Sequence, residues 1–189
     1  MNGEDFKTRE NSAICLSLMK HADHIMLHFV DLLGALKGRT VPAHEAESVM
    51  KDGVGFDGSS IPGYVNINES DMIMKPDIST FAVLPRYFYD KAVASFLCDT
   101  YRPDGRRFEG DSRYICTRTL EQMRNMGYEP TAAAELEFYL VEKTAKPRIR
   151  PVEQRVKECH RYFDIAPDRD LTEPYRMDLC DTLSSIGIT

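Results

Sequence analysis

Residues 53–63 combine flexibility with polar side chains in a way that limits how this chain can fold. The segment contains four glycines and two serines, yet it lies between runs that have the composition of regular structure. Such a composition is typical of a loop, and the segment is too short to be an interdomain linker. The sequence therefore predicts a loop held at both ends, where proteins often present binding groups.

Short elements flank this loop on both sides. A helix is predicted over residues 11–23, where Ile14, Leu18 and His21 are three to four positions apart. A hairpin follows, with its turn expected at Lys37-Gly38, and residues 43–50 predict a turn or two of helix closed by Gly53. The predicted strands cover residues 25–33, 39–43, 71–74, 81–84 and 92–98. This mixture predicts a small α+β domain over about the first hundred residues.

A second unit is predicted after the polar segment 99–110, which contains the turn-forming run Pro103-Asp104-Gly105. We place the domain boundary there, giving domains 1–103 and 104–189. Asp111 or Ser112 can cap a helix that ends at Gly127, residues 131–142 predict a strand, and residues 173–186 predict a last helix. Because one strand cannot pair its backbone groups alone, the second unit is expected to be the incomplete start of a larger α+β domain.

Composition argues against several classes of function. With 24 basic and 30 acidic residues, the net charge of −6 gives no general attraction to nucleic acid or to an anionic membrane. The most basic stretch, residues 143–150, has no flanking aromatic platform and favours a solvated loop. The apolar run at 13–19 is too short and mixed for a signal peptide or a membrane span.

The cysteines and histidines give no support for a zinc site or a hydrolase. Five cysteines occur singly, without a CxxC pair or a cysteine-histidine cluster, so a structural zinc site is not expected. An odd number of isolated cysteines favours a reducing, cytoplasmic location. None of the five histidines belongs to an HExxH motif or an obvious triad with a GxSxG serine. The glycines at 53 and 55 have neither Walker A nor dinucleotide spacing.

Two glutamates in the predicted strand 131–142 are the first candidate site. Glu135 and Glu137 are two residues apart, so they would point to the same face of a strand that is otherwise apolar on both faces. Buried carboxylates need compensation, and Mg²⁺ or Mn²⁺ would supply it. The alternative from spacing alone is a solvent-facing pair on an edge strand, because ExE is a common pattern.

The second candidate is the run FDGSS at 56–60. Asp57 offers a carboxylate, and Ser59 and Ser60 offer hydroxyls beside a glycine. This set could bind an amine or an ammonium ion. From these residues alone, a tight turn in which the aspartate carboxylate bonds the backbone that follows it is the favoured explanation.

Several motifs together resemble class I glutamine synthetase, and they occur in that family's order and spacing. The match runs from about His28 to the end of the chain, and the joint run is highly specific although single pieces are weak. The motifs are FDGSSI at 56–61, INESDM at 67–72, KPD at 75–77, CDTYRPDG at 98–105, FEGD at 108–111, ELEFYL at 135–140 and YFDIAPDRD at 162–170.

The resemblance implies a β-grasp-like N-terminal domain, followed by the truncated start of a catalytic domain that joins ammonia to glutamate through γ-glutamyl phosphate. It implies ATP as a substrate and Mg²⁺ or Mn²⁺ held by Glu135 and Glu137. Asp57 matches the aspartate that helps to bind and deprotonate ammonium. Ser60 and Tyr162 match residues of the same substrate pocket. The family forms rings in which the FDGSS loop serves the adjacent subunit.

Some positions depart from the family pattern. Leu136 replaces a proline between the two glutamates, and Asn66 stands where some members carry an arginine linked to feedback control. Tyr64 occupies the position of an aromatic residue that usually covers the nucleotide. The family's remaining metal ligands, glutamate loop and ATP-binding arginines have no counterpart in these 189 residues. We therefore expect the chain to be inactive alone.

Two other functions fit the same residues. The chain could belong to a γ-glutamyl ligase that uses an amine in place of ammonia. It could also be a truncated relative that acts as an interaction or regulatory module and inserts into synthetase rings.

Overall fold

The computed structural model of this chain describes residues 15, 17, 19–142, 149–152 and 170–188. The chain divides into two compact units, Met1–Pro130 and Thr131–Thr189. Within the described ranges the first unit has a six-stranded sheet and the second a two-stranded sheet. The boundary at 103/104 between functional domains stays a prediction.

The first unit is built on a mixed sheet. Its strands are β1 (His24–Val30), β2 (Leu36–Pro42), β3 (Val54–Asp57), β4 (Asp71–Pro76), β5 (Ala82–Leu84) and β6 (Val93–Tyr101). The strand order is β2-β1-β6-β4-β3, and β5 also pairs with β6. β1 and β6 run parallel, whereas the other pairs are antiparallel. The unit also contains the helices α1 (Ala46–Asp52) and α2 (Ser112–Asn125), so the predicted α+β class is confirmed.

Alternation along the strands builds the core. In β1 every second side chain is buried, which places Ile25, Leu27 and Phe29 on the inner face. β6 contributes Phe96 and Cys98 to the same core. The core also contains Met72, Met74, Val49, Cys15 and Met19. β2 has only Val41 buried and lies at the edge of the sheet, which is where a strand that ends in a proline is tolerated.

The hairpin between β1 and β2 is confirmed, but its predicted turn at Lys37-Gly38 was wrong. The turn lies at residues 31–35, where the Asp31 carboxylate accepts hydrogen bonds from the amides of Leu33 (2.9 Å) and Ala35 (2.8 Å). Gly34 adopts a φ of +80°, which glycine reaches without strain. The position of the turn is set by the buried Asp31 carboxylate, which bonds the backbone amides that follow it. The Lys37-Gly38 pair has no acceptor side chain that could do the same.

The segment 53–63 is not a loop throughout, since its first part forms β3. This strand pairs with β4 in antiparallel register, with Val54 opposite Met74 and Asp57 opposite Asp71. Gly53, with a φ of +79°, ends α1 and redirects the chain into the strand. Pairing with a neighbouring strand overrode the glycine-rich composition.

The polar segment 99–110 packs closely against the sheet. Residues 99–101 are the end of β6, and Tyr101 forms a bridge with Arg107 across the turn at Gly105. Asp111 is the N-cap of α2, as predicted, and accepts a hydrogen bond from the amide of Arg113 (2.9 Å). The helix is followed by Gly127 at a φ of +85°, also as predicted.

The Asp111 carboxylate has two further partners. Its Oδ2 accepts hydrogen bonds from the Thr100 amide (2.7 Å) and from Arg107 Nη2 (3.2 Å). Arg107 also contacts Asp99 (2.6 Å), and Arg113 joins Asp99 (2.7 Å). The carboxylate of Asp111 is almost completely buried, so these bonds replace the water that it loses. The cap of α2 is therefore fixed to the middle of the sheet.

The second unit contains β7 (Val141–Glu142), β8 (Arg150–Pro151) and the helix α3 (Glu173–Ser185). The predicted strand at 131–142 was wrong except for its last two residues. Residues 131–140 are irregular, with Leu136 84% and Tyr139 92% exposed. A strand needs a partner for its backbone groups, and only 141–142 have one among the described residues. The predicted last helix is confirmed, and Gly187 follows it at a φ of +81°.

Part of the predicted first helix lies outside the described residues. Cys15, Ser17 and Met19 are helical, and Cys15 and Met19 are buried. Ile14 and Leu18 fall in the undescribed part, as do residues 143–148 of the basic stretch. No helix in the described ranges combines the length and the hydropathy that a membrane crossing requires.

Replacement of Asp111 by alanine should destabilise the first unit strongly. The substitution leaves the buried Thr100 amide without its acceptor and removes the cap of α2. We expect the free energy of unfolding, measured by urea denaturation, to fall by about 2–4 kcal/mol.

Asp104→Ala is the matched control. Asp104 also bonds its own turn and an arginine, but it is exposed, so we expect a much smaller loss of stability than for Asp111→Ala. Equal losses in the two variants would show that burial of Asp111 is not what matters.

Candidate functional site

The candidate site is a loop that starts where β3 ends, here called the serine loop (residues 57–64). Asp57 is its first residue, and its Oδ1 accepts hydrogen bonds from the Ser59 amide (2.9 Å) and the Ser59 hydroxyl (2.6 Å). Its Oδ2 accepts one from the Ser60 hydroxyl (3.1 Å). The aspartate thus caps the short 3-10 helix Gly58–Ser60. The tight-turn interpretation is confirmed, and Asp57 and Ser60 are brought together.

Packing beneath the loop fixes its course. Gly58 is buried, and its amide donates to the Ser70 carbonyl (2.7 Å). A Cβ atom at this position would lie 2.6 Å from Met72 Cγ and 2.8 Å from Val65 Cγ2. Only glycine fits there without displacing those side chains. The loop therefore presents Asp57 and Ser60 from a rigid base.

The serines hold Asp57 in its charged form. The hydrogen bond from the Ser59 hydroxyl lowers the pKa of Asp57 below its ordinary value, against an opposing effect of partial desolvation. The Ser60 hydroxyl and the amides of both serines lower this pKa further. Asp57 is exposed to solvent, so an ion in solution can reach its carboxylate.

A second aspartate forms the same turn and allows a direct comparison. Asp77 Oδ1 accepts hydrogen bonds from the Ser79 amide (3.0 Å) and hydroxyl (2.7 Å). Its Oδ2, however, forms an ion pair with Arg113 Nη2 (2.8 Å). Asp57 has no such cationic partner among the residues that the structure describes. Of these two aspartates, Asp57 is therefore the one whose negative charge is available to bind a cation.

Tyr64, at the end of the serine loop, has its ring in the hydrophobic core. Its side chain is 8% exposed and lies between the rings of Phe29 and Phe108, at centroid distances of 5.9 Å and 4.8 Å. Burial raises the pKa of Tyr64 to about 12. Its aromatic ring is part of the core.

The two glutamates lie in the second unit and are both exposed. They fall in the irregular segment 131–140, so the predicted shared face of a strand is not formed. Within the described ranges no three histidine, cysteine, aspartate or glutamate side chains are grouped as a metal site requires. Carboxylate oxygens suit Mg²⁺ or Mn²⁺, but Glu135 and Glu137 do not by themselves form a site that fits a metal ion. Tyr162 lies outside the described residues.

An open cavity of about 520 Å³ lies at the start of β4. Glu69, Asp71, Asp104, Arg102 and Arg106 supply its charged side chains. Arg102 forms ion pairs with Glu69 (3.7 Å), which also lines the cavity, and with Glu109 (3.1 Å). In the sequence, Glu69 and Asp71 fall in the motif INESDM, Arg102 and Asp104 fall in CDTYRPDG, and Arg106 follows that motif. No role was predicted for these residues. Their separation in sequence hides the pairing.

Comparison with known families decides the identity of the fold. The family model described as glutamine synthetase, beta-Grasp domain, matches residues 21–103, and the glutamine synthetase catalytic domain matches residues 109–189. The chain belongs to the glutamine synthetase family. The predicted β-grasp-like N-terminal domain and the recognition of the family are confirmed.

Curated glutamine synthetases match most of this chain. Those of Thermotoga maritima and Thermus thermophilus are 40% and 38% identical to it over 165 and 167 residues, which is 87% and 86% of this chain. The matched part is 37% and 36% of those two proteins. The chain thus spans a little over a third of the length of the curated relatives it matches.

Solved structures support the same fold. The Plasmodium falciparum glutamine synthetase, determined by cryo-electron microscopy, aligns with 93% of this chain and 40% of its own at a TM-score of 0.67 and 18% identity. A complex of GmaS with ADP aligns with 61% of this chain and 25% of its own at a TM-score of 0.53 and 23% identity. At these identities the likeness concerns the fold alone.

Replacement of Ser59 by alanine should raise the pKa of Asp57 toward the ordinary value of 3.8, because the strongest hydrogen bond to its charged form is lost. The carboxyl carbon signal of Asp57 in a ¹³C NMR titration measures this. In the parent chain the serine–carboxylate bonds stabilise the fold above pH 3.8, and that stabilisation is lost as the pH falls through the lowered pKa of folded Asp57.

Ser79→Ala is the matched control for this titration. Asp77 keeps its ion pair with Arg113 when the serine is lost, so its pKa should stay below the ordinary value. An Asp57 pKa that does not move in Ser59→Ala would contradict the role given to the serine.

Proposed function

We propose that this chain is the N-terminal portion of a glutamate–ammonia ligase and that Asp57 binds the ammonium substrate. The observation that carries the proposal is the charge of Asp57, which has no cationic partner among the described residues, in a turn whose counterpart at Asp77 is neutralised by Arg113. A carboxylate has about four acceptor positions, and the serines occupy three of them at Asp57. The fourth can accept a hydrogen bond from ammonium.

The lowered pKa of Asp57 defines its role more closely. A general base works best when its pKa is near the operating pH, whereas a carboxylate that stays charged well below neutrality is suited to binding a cation. The main role proposed for Asp57 is therefore to bind and orient ammonium. It assists the loss of a proton from ammonium mainly through the negative charge that it places beside the substrate. Ser60 keeps the carboxylate oriented.

The other components of the reaction follow from the family. We propose ATP as the phosphoryl donor and two divalent ions, Mg²⁺ or Mn²⁺, as cofactors, with Glu135 and Glu137 each supplying one ligand to one of the two ions. Tyr162 is proposed to line the ammonium pocket. The active oligomer is proposed to be a homo-oligomeric ring in which the serine loop serves the neighbouring subunit, in a cytoplasmic enzyme. The 189-residue chain alone is proposed to be inactive.

A chimera tests the role of Asp57. This chain replaces the matching 37% of the Thermotoga maritima glutamine synthetase, and glutamine formation is measured with glutamate, ammonium and ATP. We expect activity in the chimera and none in the 189-residue chain alone. Asp57→Asn should lower kcat/KM for ammonium by about 100-fold or more, because it removes the charge that binds the cation.

Asp52→Asn is the control, since Asp52 is an exposed aspartate at the end of α1. Its chimera should keep full activity, and size-exclusion chromatography should give all variants the same assembly state. An active chimera that tolerates Asp57→Asn would refute the assignment. Preference for methylamine over ammonium would instead identify an amine ligase, and glutamine formation by the 189-residue chain would refute its inactivity.

A further inference from the structure

A side chain of the hairpin reaches the strand that leads into the serine loop. Arg39 lies on β2, and its Nη1 donates a hydrogen bond to the carbonyl of Gly55 on β3 (2.7 Å). Since β2 and β3 are the two ends of the strand order β2-β1-β6-β4-β3, this bond joins opposite edges of the sheet. Gly55 is two residues before Asp57, which is a distance of about 7 Å along a strand.

The bond from Arg39 supports a short strand at the edge of the sheet. β3 has four residues, and in the described part of the chain it pairs only with β4. The ring of Phe56, the neighbour of Gly55, packs on Phe29 of β1 with the ring centroids 4.9 Å apart. Arg39 adds a polar contact beside this apolar one. Together the two contacts hold β3 against the hairpin.

The backbone of Arg39 is itself fixed by close packing. In the register of the hairpin Arg39 is opposite Leu27, whose side chain is completely buried. At the preceding residue, Gly38, a Cβ atom would lie 1.9 Å from the carbonyl oxygen of Leu27. Such a close approach of two strands requires glycine. The guanidinium therefore extends toward β3 from a backbone that cannot shift easily.

We propose that Arg39 is a positioning residue for Asp57. Its hydrogen bond to Gly55 sets the position of β3 and, through it, the position of the carboxylate at the end of that strand. Because Arg39 bonds the backbone of β3, it leaves the Asp57 carboxylate available to the substrate. This inference rests on the proposed function, in which Asp57 binds ammonium.

The sign of the kinetic effect separates positioning from charge. A guanidinium near a cation site repels ammonium, so through charge alone its removal would lower KM for ammonium. Loss of positioning has the opposite effect, because a misplaced carboxylate binds the cation less well. Arg39→Met removes the charge and the donor but keeps an apolar stem that can pack in the same way. In the chimera with the Thermotoga maritima enzyme we expect it to raise KM for ammonium by about 3–10-fold, with kcat and KM for glutamate unchanged.

Hydrogen exchange in the 189-residue chain tests the structural step without any ligase activity. In Arg39→Met we expect the protected amides of β3 (Val54–Asp57) to exchange about 5-fold faster or more, while the buried Thr100 amide keeps its rate, because only β3 opens more often. The bond is exposed to solvent, so Tm should fall by no more than about 2 °C. Thr40→Ala, an exposed change at the next residue of β2, is the control and should leave exchange and KM unchanged.

The two measurements distinguish failure of this inference from failure of the proposed function. Unchanged exchange in β3 would refute the positioning role, whether or not the chimera is active. A lower KM for ammonium, or equal increases in KM for ammonium and glutamate, would also refute it, and Asp57 would remain the ammonium-binding residue. A chimera that tolerates Asp57→Asn would refute the proposed function and the role of Arg39 with it.

Discussion

The first unit depends on one strand and on the carboxylate that fixes its end. β6 is paired with β1, β4 and β5, so it joins the hairpin to the strands that support the serine loop. The amide of Thr100 on β6 donates to Asp111 at the start of α2. Because Asp111 is buried, its charge is tolerable only with the donors of Thr100, Arg107 and Arg113 in place. The carboxylate of Asp111 thus connects β6, the start of α2 and the turn that contains Arg107.

Local patterns in the sequence predicted most of this unit. The hairpin of β1 and β2, the cap at Asp111 and the end of α2 before Gly127 all follow from rules that involve only neighbouring residues. The errors arose where a distant partner decided the structure. β3 formed because β4 pairs with it, and residues 131–140 stayed irregular where no described strand does so. Glycine content and apolar content alone do not contain that information.

The sequence predicted which residues belong to the candidate site better than it predicted how they are arranged. The resemblance pointed to Asp57 and Ser60, and the turn chemistry of Asp-Gly-Ser explains why they meet. It could not show that Tyr64 would be buried between Phe29 and Phe108, since that packing joins three separate segments. The resemblance concerned only the position of an aromatic residue, and the structure adds that this ring is buried in the core.

The comparison between Asp57 and Asp77 shows why a turn motif cannot reveal function by itself. Both aspartates bond a serine two residues later with nearly equal distances, and both have lowered pKa values. The difference is Arg113, which is 36 positions from Asp77 in sequence and reaches it only because α2 is capped against the sheet. That ion pair makes Asp77 structural. Asp57 has no cationic partner in the described part of the chain, so it keeps an exposed negative charge on a rigid loop.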